Sequence, residues 1–417
     1  MSIFVIIALL VILTAIYAYV NALWFKLPAT IGIITLATVV SVVILILDKT
    51  NSSLATYLVL LAGHIDFSRT VLNIMLGFLL FAGSFNIDNK KLIKESKPIL
   101  VLSTLSVLLS TLIFGLIFFF ILGAMHIHIP LIYCLLFGAV ISPTDPVAVA
   151  SILKKSKLPP HLETIMTGES LFNDAFGLVI VTIILEITGN EHLVWQNILI
   201  LIIRDVLGGI AAGLVLGFVT NRLMRSIRDF QAIVLLSLAL VMGLSLLSSW
   251  LHLSVPLATV SAGIFADNRS INLDYKERSH EELSKFWQLA DELLNAILFV
   301  MIGLQMVNVP FIDNYWLTSA IAIGVILIAR WLSIITPWVF IRRAVAINLS
   351  NVNLLTWAGV RGGISIALAL SLPRTIPYRH IILSGSYFIV IFSIIFQGLT
   401  LNKLISFIYR KEEQLKE

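Results

Sequence analysis

The chain is 417 residues long, 59% hydrophobic and only 12% charged, with a mean hydropathy of +1.01. A soluble domain of this size carries roughly a quarter charged residues, so a soluble globular protein is excluded and a polytopic membrane protein is expected. The net charge of +5 and isoelectric point near 9.2 do not require a nucleic-acid partner, because lysine and arginine collected in the loops on one membrane side account for them.

The apolar residues run together in stretches matching the ~20 residues that cross hydrocarbon. In lipid each span must satisfy its own backbone, so long spans mean helices and exclude a barrel of short strands. The expected fold is all-α and integral to the membrane, with about thirteen spans.

The first, 3–20, has no basic region before it and no small-residue cleavage site, and reads as a retained span rather than a signal peptide. The second is 28–47. The stretch 51–66 is too polar to count, and the third and fourth spans follow at 68–87 and 97–123.

The fifth, 130–153, contains the single cysteine, Cys134, which rules out an intramolecular disulfide. It also carries Ser142-Pro143-Thr144-Asp145-Pro146 at its middle. Each proline lacks an N–H, so the carbonyls of Ala139 and Ser142 lose their usual partners. Asp145 reads as an N-cap and Pro146 as the first residue of a new half-helix, with Thr144-Asp145 as an extended link facing protein or a water-filled cavity. A proline kink with a capping aspartate is the plainer alternative, but the break falls at mid-span and carries a charge.

The sixth span, 161–187, contains Gly168-Glu169-Ser170-Leu171-Phe172-Asn173-Asp174. Glu169, Asn173, Ser170 and Asp174 fall within about 140° of helical arc, while Leu171 and Phe172 point elsewhere. Such a face lines the bundle interior. A hydrogen-bond network that only joins helices is the alternative, though two carboxylates exceed what that requires.

Spans seven to eleven are read at 195–222, 229–250, 254–266, 285–308 and 316–342. The ninth is short, with Pro256 at its start. Arg204-Asp205 and Arg330 read as structural pairs, Asp291 and Glu292 as charges near an entrance, and His126 and His128 as solvated loop residues. The twelfth span, 350–372, carries Thr356-Trp357-Ala358-Gly359-Val360-Arg361-Gly362-Gly363-Ile364-Ser365. Three glycines around a central arginine indicate a second interrupted helix, with a small-residue packing face and a snorkelling arginine as the alternative. The thirteenth is 379–408, followed by a short tail.

The two broken spans are seven apart, so spans 1–6 superpose on 8–13 with inverted orientation. Interrupted helices at matching positions of two inverted-topology repeats point to a mid-membrane site in a secondary transporter. With the N-terminus outside, the outer loops hold only Lys49, Arg69, Arg374 and Arg379. Arg204, Arg330 and Arg361 lie within spans, and the other 21 of the 28 basic residues fall inside. This predicts an odd number of spans, N-terminus outside and C-terminus cytoplasmic, in the cell (inner) membrane. No nucleotide, zinc, serine-hydrolase or calcium-loop pattern occurs in a credible context, so no enzyme activity and no cofactor are expected.

Together the three motifs resemble the monovalent cation/proton antiporter-1 family, in its bacterial NhaP-type sodium/proton antiporter branch, over essentially the whole chain. The resemblance implies one transmembrane domain over 1–410 with a short tail, 411–417. Within it are implied a six-helix transport core (about 97–187 and 316–408) and a dimerising interface part (about 1–87 and 195–308), hence a homodimer in lipid. It carries the family's ion site onto Asp174, Ser170 and Thr144, with Asn173 and Asp145 beside them, and a structural ion pair onto Glu169 and Arg361. One departure is visible. Some members place an acid in the third span, but Phe81-Ala82-Gly83-Ser84-Phe85-Asn86 has none before Asp88.

A carboxylate away from bulk water takes up protons more readily, and sodium wants oxygen ligands as other hard cations do. The resemblance therefore implies antiport of Na+ (or Li+ or K+) against H+ on Asp174, one for one and electroneutral. Another cation- or proton-coupled solute transporter of the same fold is the alternative, since spacing alone selects no cation.

Overall fold

The computed structural model describes residues 3–48, 66–145, 158–189, 200, 202–266, 274–306, 315–340 and 349–414. These residues are helical and loop, without a strand among them. Among the described residues, nine helices are long and apolar enough to cross a membrane, and a tenth candidate is a pair bent by 57° at a short break.

In chain order, α1 (Ile3–Val20) continues through a π-helical turn, Asn21–Phe25, and is followed by α2 (Ala29–Asp48). Next come α3 (Phe67–Phe85), α4 (Asn89–Lys94), α5 (Ser96–Ala124), α6 (Leu131–Ile141) and α7 (Pro160–Gly189). Then follow α8 (Ile203–Met224), α9 (Phe230–Leu251), α10 (Val255–Ala266), α11 (Asp274–Gln305) and α12 (Trp316–Phe340). The bent pair is α13 (Leu349–Ala358) and α14 (Gly363–Ser371). The last helix, α15, runs Arg379–Phe392, passes a π-helical stretch Ser393–Gln397 and ends as Gly398–Gln414.

The stretch 51–65 and the expected second half of the fifth span, from Pro146 onward, lie outside the described residues. The tenth span falls within a few residues of expectation, at Glu281–Gln305, while its helix, α11, begins earlier, at Asp274. Charged residues such as Glu281 and Lys285 cannot enter hydrocarbon cheaply, but they are good helix formers and prolong the span beyond it. Several aspartates outside the spans cap helices. Asp88 accepts from Lys90 N at 3.0 Å and Asp229 from Gln231 N at 2.9 Å, satisfying orphan N–H groups. Arg204 and Asp205 form the expected local pair, at 3.0 Å.

Two sets of helices pack most closely within themselves. In one, α8 lies on α10, α10 on α3, and α11 between α2 and α3; in the other, α5 lies on α6 and α12, and α12 and α14 on α15. The α8–α10 contact is a small-residue seam: a Cβ at Gly213 would meet the Ala258 carbonyl, and one at Gly217 would meet Ala262. Close backbone approach of this kind holds helices together where lipid removes the hydrophobic drive. The α5–α6 contact is as tight, because Gly138 leaves no room between itself and the Thr111 carbonyl. Leu171 of α7 meets Leu76 and Leu80 of α3 and Val260 of α10, so the polar face of α7 is turned toward the second set.

Candidate functional site

The two chain breaks meet. α6 ends at Ile141, and residues 142–145 leave the helix. Across from them, residues 359–362 separate α13 from α14. The Asp145 N–H donates to the Val360 carbonyl at 2.7 Å, so main chain freed at one break satisfies main chain freed at the other. The Asp145 carboxylate lies against Gly362, the N-cap of α14, where any Cβ would overlap it. An acid there faces the positive end of a half-helix. Arg361 makes the complementary contacts. Its Nε donates to the Ile141 carbonyl at 3.1 Å and its Nη1 to the Gly359 carbonyl. One guanidinium thus serves orphan carbonyls at the C-terminal ends of α6 and α13.

The expected ion pair of Glu169 with Arg361 is corrected here. Glu169 meets Arg330 of α12, with Oε1 and Nη2 2.5 Å apart and both side chains 2% exposed. Arg361 is directed at the two carbonyls, whereas Arg330, on an unbroken helix, is free to face Glu169. The Glu169–Arg330 contact is one of charge: Glu169 Oε1 and Arg330 Nε and Nη1 make no hydrogen bond among the described residues.

The expected polar face of α7 is present, with Glu169, Ser170, Asn173 and Asp174 all buried. The Asn173 side-chain N–H donates to Thr144 Oγ1 at 2.6 Å, and that hydroxyl lies 3.2 Å from Ser170 Oγ. The structure therefore brings Thr144, Ser170 and Asn173 into one cluster beside Asp174 on the same helix. Asn173 Oδ1 is buried and accepts no hydrogen bond among the described residues. Asp174 makes neither a hydrogen bond nor an ion pair with them. A carboxylate, an amide oxygen and two hydroxyls form a set of hard oxygen donors suited to a small cation. The third-span departure stands as read: Phe81 to Asn86 bring no acid, and Ser84 Oγ donates to the Phe81 carbonyl at 3.0 Å.

Sequence reasoning missed two groups. Ser110, Thr111 and Ser142 form a buried hydroxyl chain, Thr111 to Ser142 at 3.2 Å and Ser142 to Ser110 at 3.1 Å. Ser393 and Gln397 of α15 contact the second break. The available signal was polar residues at helical spacing in apolar spans, Ser393 and Gln397 being four apart.

Comparison with known proteins gives a consistent picture. A family model described as "Sodium/hydrogen exchanger, transmembrane" matches residues 7–406. The Na+/H+ antiporter NhaP of Pseudomonas aeruginosa is 38% identical over 412 residues, covering 97% of this chain and 96% of that one. The Na+/H+ antiporter NhaH of Halobacillus aidingensis is 30% identical over 343 residues, covering 81% and 83%. The solved structure of the sodium proton antiporter MjNhaP1 from Methanocaldococcus jannaschii superposes with a TM-score of 0.75 at 21% identity, covering 97% of this chain and 99% of that one.

Proposed function

The chain belongs to the transmembrane sodium/hydrogen exchanger family, and we propose that it exchanges Na+ for H+ across the membrane, with Asp174 as the group the two ions share. The observation that carries this reading is the isolation of Asp174, a buried acid beside three neutral oxygen-bearing side chains and without an ionic partner among the described residues. A bare charge enclosed by protein is costly, so the site favours a bound proton or a bound cation. Ser170 and Thr144 supply hydroxyl ligands, and Asn173 holds Thr144 in reach. The other ionisable groups of the centre balance: Asp145 and Glu169 against Arg330 and Arg361. Asp174 adds one negative charge, and either a proton or a monovalent cation cancels it. Movement is then favoured when the site is loaded and opposed when it is bare, which couples the two fluxes one for one.

The wider architecture is part of the same proposal. Thirteen spans in two inverted repeats carry the N-terminus outside and the C-terminus in the cytoplasm of the cell membrane, with the basic residues of the inner loops as support. The set containing α5–α7 and α12–α15 moves as the transport core against the set containing α1–α3 and α8–α11. The latter set forms a homodimer. The membrane lipid and the two transported ions are the remaining partners, and no resident cofactor enters the cycle.

The test is purified protein in vesicles with an imposed pH gradient, to which Na+, Li+ and K+ are added in turn. Na+-driven proton release is expected, with a half-saturating Na+ concentration that rises as pH falls while the maximal rate is kept. Conductance without saturable exchange would instead indicate a channel.

A further inference from the structure

The second break is held from outside by α15. Ser393 and Gln397 lie on its π-helical stretch, each 1% exposed. Gln397 Nε2 donates to the Trp357 carbonyl at 3.1 Å, in the last turn of α13. Within the break, the Arg361 main-chain N–H donates to Ser393 Oγ at 3.2 Å. The Ser393 hydroxyl in turn donates to Gln397 Oε1. A single amide and a single hydroxyl therefore bridge residue 357, in the last turn of α13, and residue 361, within the interruption. Trp357 is tied to the same helix again, its indole Nε1 donating to Thr400 Oγ1 at 2.9 Å.

The clamp continues into the ion site through bonded neighbours. Val360, next to Arg361, takes the Asp145 N–H. Asp145 follows Thr144, whose hydroxyl stands with Ser170 and Asn173. We infer that Gln397 and Ser393 are positioning residues for cation binding: they fix the α13–α14 break, and the break fixes Thr144 against Ser170. The role requires a side chain that donates and accepts at once without charge, which an amide does. A leucine of similar size fills the space and loses both bonds, and a glutamate keeps the donor only when protonated. This inference rests on the exchange proposed above.

The experiment measures Na+-driven proton flux in vesicles for wild type, Gln397→Leu, Gln397→Glu and Ser393→Ala. Gln397→Leu is expected to raise the half-saturating Na+ concentration about tenfold, equivalent to ~1.4 kcal/mol, while the maximal rate stays near wild type because ligand placement rather than the moving step is damaged. Gln397→Glu carries its own signature. Its half-saturating Na+ relative to wild type rises with pH as the donor proton is lost, whereas the Gln397→Leu ratio stays flat. Ser393→Ala, a smaller change, decides the matter if Gln397→Leu does not fold, and it too is expected to weaken Na+ use. Wild type lacking Na+-driven exchange sinks the exchange reading and this inference with it. Wild type that exchanges, while the variants keep its half-saturating Na+ or lose only maximal rate, overturns this inference alone.

Discussion

Asp174 and Glu169 sit five residues apart on α7 and are held in opposite ways. Glu169 has an arginine at 2.5 Å, while Asp174 has no ion-pair partner among the described residues. Replacing Asp174 with asparagine keeps its shape and removes its ionisation, so Asp174→Asn is expected to fold and melt like wild type yet show no cation-driven proton flux. Persistence of that flux would take Asp174 out of the mechanism. At Glu169 the expectation reverses. Removing one member of a buried pair strands the other charge at a cost of about 3–5 kcal/mol, so Glu169→Ala and Arg330→Ala each lower the melting temperature, and their combination lowers it by less than the sum. Arg361→Ala supplies the contrast, because its guanidinium serves carbonyls. Its effect is expected to add to that of Glu169→Ala far more nearly. Equal coupling of Glu169 to both arginines in thermal melts would contradict the geometry.

At the scale of the helices, the site depends on two interruptions meeting, and glycine is what lets them meet. At Gly362 a methyl group would occupy the position of the Asp145 carboxylate. Gly362→Ala is therefore expected to push the two breaks apart and abolish exchange, and transport at wild-type rate would show the crossing to be looser than described. The end of α6 before Pro143 and the break at 359–362 were legible, because two prolines in five residues and three glycines around an arginine disrupt a helix by local chemistry alone. The polar face of α7 was legible from its period. The partner of Glu169 was not: Arg330 and Arg361 are both buried arginines in core spans, and only their three-dimensional placement shows which one points at carbonyls. Ser393 and Gln397 escaped notice because isolated serines and glutamines in spans usually satisfy their own helix. Ser371 does so, donating to the Leu368 carbonyl. The N-terminal extension of α11 to Asp274 was not legible, because hydropathy marks where lipid ends, not where a helix does.

For the molecule as a whole, the proposed sharing of one carboxylate by proton and cation would make the cycle electroneutral. Asn173, beside it, cannot ionise, and Glu169 and Asp145 face an arginine and a half-helix N-terminus. The proton gradient at which net flux vanishes is therefore expected to be indifferent to an imposed potassium diffusion potential. A membrane potential is worth ~2.3 kcal/mol per charge per 100 mV, so a second transported proton would move that balance point visibly. The meeting of the breaks also has a consequence for biogenesis. The Ile141 carbonyl waits for an arginine 220 positions later in the chain. At a synthesis rate of roughly 5–20 residues per second, that is a delay of about 10–40 s. During that interval the nascent first half holds Glu169 without Arg330 and Asp145 without the half-helix N-terminus at Gly362 that later faces it. Such a half cannot settle fully into lipid, and it must wait beside the insertion machinery or in contact with water until the later helices emerge.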